Sequence, residues 1–164
     1  MNLDRLSLGE KLLGITSIAL IVLSFAGLWA KIEIVSEGPA ADLGFDATQR
    51  FNAWDAYGLF VKLALLIALV LAGFVVARAA NANLTLPSPK VYLGLAIAAF
   101  VLLLLTLLVG PDESGSGSND LVSVEISRGL GLFIGTFLGA AMAVGAWMHA
   151  QASGSAGASP DATV

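Results

Sequence analysis

The chain has few side chains that could do chemistry, and their types narrow the chemistry sharply. A scan of its apolar segments singles out Lys62, and an ionisable group inside a bilayer is a functional candidate by default, here for an anion or substrate path. Lys62 lies about five residues beyond Tyr57, roughly 7.5 Å of helix rise, so its stem can also snorkel to the interface. Packing or snorkelling is the simpler reading. His149 is the only histidine and ends the last apolar segment, where a helix C-terminus suits an imidazolium and no partner ligand accompanies it. Asp112, Glu113 and Asp120 lack the regular spacing of a calcium loop and read as a solvated face. With no cysteine there is no disulfide, thiolate metal site or thiol nucleophile. No metal site and no cofactor are expected, and a lipid-modifying enzyme would lack a nucleophile, base or metal cluster. The expectation is that the chain is not an enzyme.

The elements that carry these residues are membrane elements. Of 164 residues, 57% are hydrophobic and only 12% charged, a balance far from that of a soluble domain. Four segments approach or exceed the ~20 apolar residues needed to cross a bilayer: about Leu12 to Ala30, Tyr57 to Ala80, Val91 to Val109 and Gly129 to His149. The reading is an all-α membrane protein, a four-transmembrane-helix bundle with helices at about 9–30, 50–80, 90–109 and 128–149. Residues 1–150 form one domain, and 151–164 a flexible C-terminal tail of small polar residues. A net charge of -4 without a basic patch argues against nucleic acid.

Ser7 and Glu10 have the spacing of a capping box, so the first helix starts in water and runs into the membrane. A rival reading makes this start a secretory signal, with Arg5 and Lys11 before the apolar run and a small-residue cleavage site at Ser24-Phe25-Ala26. Against it, the apolar run continues to Trp29 and Glu10 is unusual in a signal's basic front. Lys31 to Val35 and Leu121 to Ser127 both alternate as strands do, and loops one and three of a four-span chain face the same side. They should pair as a short two-stranded antiparallel ribbon, which sets helix one beside helix four. Phe51, Trp54 and Tyr57 at i, i+3, i+6, with Asp46 and Gln49 at cap spacing, suggest an amphipathic interfacial turn or a watery extension of helix two. Pro87 and Pro89 end one helix and start the next across a short loop. The connection Pro111 to Asp120 reads as flexible glycine and serine.

The fourth helix carries Gly131, Gly135, Gly139 and Ala143 four residues apart, a ladder that lets another helix approach closely. Packing within the bundle is the first reading, and a homo-oligomeric or membrane-protein contact the alternative. Ala64, Ala68 and Ala72 make a second small stripe, Gly94 and Ala98 a third. No Asp, Glu, Asn or Gln occupies a helix core, which disfavours proton-coupled four-span multidrug transporters that need a carboxylate in helix one. That helix offers only Thr16, Ser17 and Ser24, whose hydroxyls, with those of Thr106 and Thr136, can bond back to the preceding turn. Arg5, Lys11, Arg78 and Lys90 flank one side against Lys31, Arg50 and Arg128 on the other, a small excess that puts both termini in the cytoplasm. Trp29, Trp54 and Tyr57 would anchor the outer interface, Tyr92 and Trp147 the inner one.

The stretch Leu6-Ser7-Leu8-Gly9-Glu10-Lys11-Leu12, the Gly-Leu-Trp ending at Trp29 and Ala53-Trp54-Asp55-Ala56-Tyr57 together resemble a group of uncharacterised small four-span membrane proteins of actinobacteria. Relatives often have Pro-Trp where this chain has Leu28-Trp29. The resemblance implies the four-span layout and carries no catalytic residue. The expected role is a non-catalytic structural, accessory or interaction protein of the cell membrane. A small oligomeric transporter or channel is the alternative.

Overall fold

The computed structural model describes residues 6–36, 47–80, 87–110 and 122–155. Helix α1 (Leu8–Ser24) opens on the expected capping box: Ser7 Oγ accepts the Glu10 N–H at 3.2 Å and the Glu10 carboxylate accepts the Ser7 N–H at 2.8 Å. The helix ends at Ser24, well short of Trp29. At 17 residues it is about 25 Å long, under the ~30 Å of a hydrocarbon core. Among the described residues three helices are long and apolar enough to cross a membrane: α3 (Leu59–Ala79), α4 (Pro89–Val109) and α5 (Leu130–Ser155). Pro89, which lacks an N–H to waste, stands at the first position of α4 behind Ser88. Gly110 closes α4 at φ +90°, a backbone state that L side chains rarely adopt. Helix α5 runs past the expected limit at His149, so the first residues of the anticipated tail are helical.

The alternation in loops one and three is realised, with an addition. Strand β1 (Ala30–Ser36) pairs antiparallel with β3 (Val122–Arg128) in the register Ile32↔Ile126 and Glu33↔Glu125. The other edge of β1 is taken by β2 (Ala47–Phe51), giving a three-stranded sheet in the order β2-β1-β3 instead of a two-stranded ribbon. A two-stranded ribbon would leave that edge of β1 with unpaired N–H and C=O groups, and β2 satisfies them. The interfacial helical turn expected over Asp46 to Tyr57 is corrected accordingly. Gln49 sits opposite Ile32 in the sheet, while Asp46 lies outside the described residues, as do Pro111 to Asp120. Helix begins only at α2 (Ala53–Ala56), one turn capped by the Asn52 side chain on the N–H groups of Trp54 and Asp55. Extended Tyr57 and Gly58 separate it from α3.

Helix α1 packs against α3 and α5, and α4 packs against the same two from the other side. Their shared core holds Leu13, Leu20, Val61, Leu65, Leu71, Leu103, Leu132 and Met142, all essentially inaccessible. The outward sides carry the opposite pattern, with Leu108, Val109 and Phe137 exposed at 67%, 75% and 74%. Thr16, Ser17, Thr106 and Thr136 donate to the carbonyls of Leu12, Leu13, Leu102 and Leu132 at 2.7–2.9 Å. These hydroxyls are thus satisfied by their own helices.

Candidate functional site

A close helix–helix approach lies where α1 begins. A Cβ on Gly9 would sit 2.6 Å from both the Gly145 carbonyl oxygen and the His149 nitrogen, and one on Gly145 would sit 2.8 Å from the Leu13 nitrogen. Two backbones therefore touch with no side chain between them. That contact brings two deeply buried ionisable groups together. Glu10 and His149 are each 2% exposed. Glu10 Oε1 accepts from Arg78 Nε of α3 at 2.9 Å and lies 3.8 Å from His149 Nδ1 of α5, while its Oε2 holds the Ser7 N–H. Ser7 Oγ is 3.5 Å from His149 Nδ1. The Tyr92 ring of α4 meets the imidazole edge-on, with centroids 5.5 Å apart. One residue from each of α1, α3, α4 and α5 thus converges at this end.

The cluster is polar but incompletely paired. Tyr92 Oη and His149 Nε2 are buried and have no hydrogen-bond partner among the described residues. Buried polar atoms without partners are uncommon, because each forfeits its bond to water. Chemically the group offers a carboxylate, an imidazole, a phenol and a guanidinium within one contact network, which is enough to bind a proton or a water. No cluster of three metal-ligating side chains occurs among the described residues.

The sheet end of the same helices is built differently. Gly129 donates its N–H to the Trp29 carbonyl and Gly131 donates to that of Leu28, both at 2.8 Å. A Cβ on Gly129 would collide with the Leu28 carbonyl oxygen, so the α5 start admits only glycine there. Trp29 then turns inward, fully buried, between α1 and α5. Its Nε1 donates to the Leu23 carbonyl at 2.7 Å, its own carbonyl accepts the Tyr57 hydroxyl at 2.9 Å, and the two rings meet edge-on at 6.3 Å. Burial pushes the Tyr57 phenol up to about 12, against the opposing pull of the Arg128 charge. Trp54 donates to Ser24 Oγ at 3.1 Å.

The singled-out residues that the structure describes have the following places. Gly131 and Gly135 receive the Trp29 indole, at 2.9 Å from Cδ1 and 2.7 Å from Cη2 of a Cβ built on each. Gly139 instead faces α4, where a Cβ would lie 3.1 Å from Leu103 Cδ1, and Ala143 is partly buried against the core. The ladder does not serve one partner, because a four-residue step drifts about 40° around a helix of 3.6 residues per turn. Ala64, Ala68 and Ala72 are buried, whereas Gly94 is open. Lys62 is exposed on α3 and points away from the core. Of the expected interfacial anchors, Trp147 is 51% exposed and Trp54 is half-buried, whereas the side chains of Trp29 and Tyr57 are buried inside the protein. The chain turns back at Phe25 instead of continuing as helix, and this carries Trp29 under α1.

The sequence reading missed the Glu10 cluster. Glu10 was accounted for locally as a cap, and His149 lies 142 residues from Ser7. A signal existed: the expected order of alternating helices puts Glu10, Arg78, Tyr92 and His149 at the same end. Compared with known proteins, the chain matches no family model, and no curated protein is significantly similar to it.

Proposed function

We propose that the chain is a four-span integral protein of the cell membrane with a non-catalytic structural, accessory or interaction role. In this reading α1 crosses together with α3, α4 and α5, both termini are cytoplasmic, the sheet lies outside, and the actinobacterial four-span group supplies its relatives. Packing of α1 against both α3 and α5 supports its inclusion, since outward-facing Ile15, Ile18 and Val22 would otherwise meet water. The observation that carries the non-catalytic reading is the interior itself: between the two ends the described residues place only apolar groups and self-bonded hydroxyls. An outward Lys62 fits a snorkelling side chain. In-cell crosslinking followed by mild-detergent purification tests the role. A stoichiometric foreign membrane protein is expected for an accessory subunit, and a chain that purifies alone as a monomer would sink that role. The unpartnered Tyr92 Oη and His149 Nε2 favour one second reading, an oligomeric proton-linked transporter. For it, Glu10→Gln should abolish flux in proteoliposomes.

A further inference from the structure

Beside the polar cluster, positive charge gathers at one other place. Where β1 and β2 meet the start of α5 there is a cavity of about 240 Å³, and its lining includes Lys31, Arg50 and Arg128 together with Leu28, Gly129 and Leu130. Lys31 and Arg50 are direct cross-strand partners, and like charges facing each other across a strand pair are destabilising unless an anion offsets them. Lys31 reaches Glu33 on its own strand, but Arg50 and Arg128 have no carboxylate partner among the described residues. Arg128 donates to the Leu108 carbonyl at 3.4 Å, which holds its charge at the end of α4.

The depth of this cavity matters as much as its charge. It sits where α5 starts, and α5 is long and apolar enough to span. Below it Leu130, Phe133 and Phe137 are 70%, 51% and 74% exposed and fall on one helix face. Cations therefore stand at the end of a span with an apolar strip leading away beneath them. That is the chemistry of an amphiphile's headgroup and tail.

The geometry points to a binding site for a phosphate-bearing anion, the headgroup of an acidic phospholipid, with its phosphate beside Arg50 and Lys31 and its acyl chain along Leu130, Phe133 and Phe137. Arginine suits phosphate because its planar fork can give two parallel hydrogen bonds. The site rests on the membrane placement proposed above, and failure of that placement would be seen separately, as release of the chain from membranes by alkaline carbonate.

The test is native mass spectrometry of the detergent-purified protein titrated with phosphatidylglycerol and phosphatidylcholine of identical acyl chains. Wild type should retain phosphatidylglycerol about fivefold or more over phosphatidylcholine, on the scale of one cation near a lipid surface. Lys31→Gln with Arg50→Gln should erase that preference, and Lys11→Gln with Lys90→Gln, at the other end, should leave it intact. Arg50 is exposed, so Arg50→Gln alone keeps the fold and should by itself remove about fivefold of the retention. Phosphatidylglycerol that resists competition by inorganic phosphate supports the headgroup assignment. Displacement by inorganic phosphate would give the cavity to the free anion and overturn that assignment. Equal retention of the two lipids, or a preference that survives in the Lys31/Arg50 double variant, would overturn the site altogether.

Discussion

The two ends of the α1–α5 pair solve the same packing problem in opposite ways. At the end holding Gly9 and Gly145 the backbones touch, and the seam is closed by a carboxylate, a guanidinium and an imidazole. At the sheet end the helices part, and one indole fills the gap with its polar atom tied to the Leu23 carbonyl. Small residues occur at both ends but do different work. Gly9 and Gly145 remove side chains so that helices can meet, whereas Gly131 and Gly135 remove them so that a third group can enter. A run of glycines on a membrane helix therefore does not by itself announce a helix–helix contact.

This contrast can be broken by substitution, and the largest effect belongs to the filler. Trp29→Ala should cost about 3–5 kcal/mol, the range for emptying a large buried aromatic site, read by denaturation in detergent. A loss below about 1 kcal/mol would mean that the helices close up and the indole is not a filler. Gly9→Val should cost about 3 kcal/mol, because its Cβ would have to displace backbone atoms and not a flexible side chain. Gly135→Ile sharpens the comparison further. It should destabilise wild type through the clash with Trp29 but should be partly rescued in the Trp29→Ala background, a coupling that Gly9→Val must not show.

At the polar end, Glu10→Gln keeps the shape and removes the charge, and a loss of about 2 kcal/mol is expected from weakening its charge-assisted bonds. Arg78→Gln should cost a similar amount, about 2 kcal/mol, because the Arg78 side chain is 44% exposed but the Glu10 carboxylate it leaves without its cation is only 2% exposed. A negligible loss at Arg78 would mean that the carboxylate is not the hub. The smallest effect is at Tyr57. In a Tyr92→Phe background the remaining phenol should ionise about two units above the ordinary tyrosine value of 10. Because its folded pKa is raised, the stabilisation from the neutral phenol is complete below pH 10 and is lost as pH climbs from 10 through about 12. An ultraviolet titration with a midpoint near 10 would place Tyr57 in solvent.

What could be read in the sequence follows from the range of the interactions involved. The capping box, the proline start of α4 and the alternation of β1 and β3 depend on neighbours within a few residues, and all three appear as expected. Strand β2 did not announce itself, because Ala47-Thr48-Gln49-Arg50-Phe51 shows little alternation and Phe51 shares a helical spacing with Trp54 and Tyr57. Trp29 looked interfacial because it follows a long apolar run. Only the turn at Phe25 reveals that it folds inward. The Glu10 cluster depends on residues from four helices, and no local pattern records such a meeting.

The contact between Gly9 and Gly145 joins the first helix to the last, and this has a consequence for biogenesis. On a ribosome adding roughly 5–20 residues per second, α1 emerges on the order of ten seconds before the partner that Gly9 is shaped to meet. Glu10 has no Arg78 beside it until α3 follows and no His149 through the whole interval, and the hairpin of α3 and α4 can form on its own. Helix α5, made after α1, α3 and α4, is thus the one that locks these helices together, and a chain cut short before Gly145 leaves the Glu10 carboxylate without His149 and the Gly9 notch unfilled.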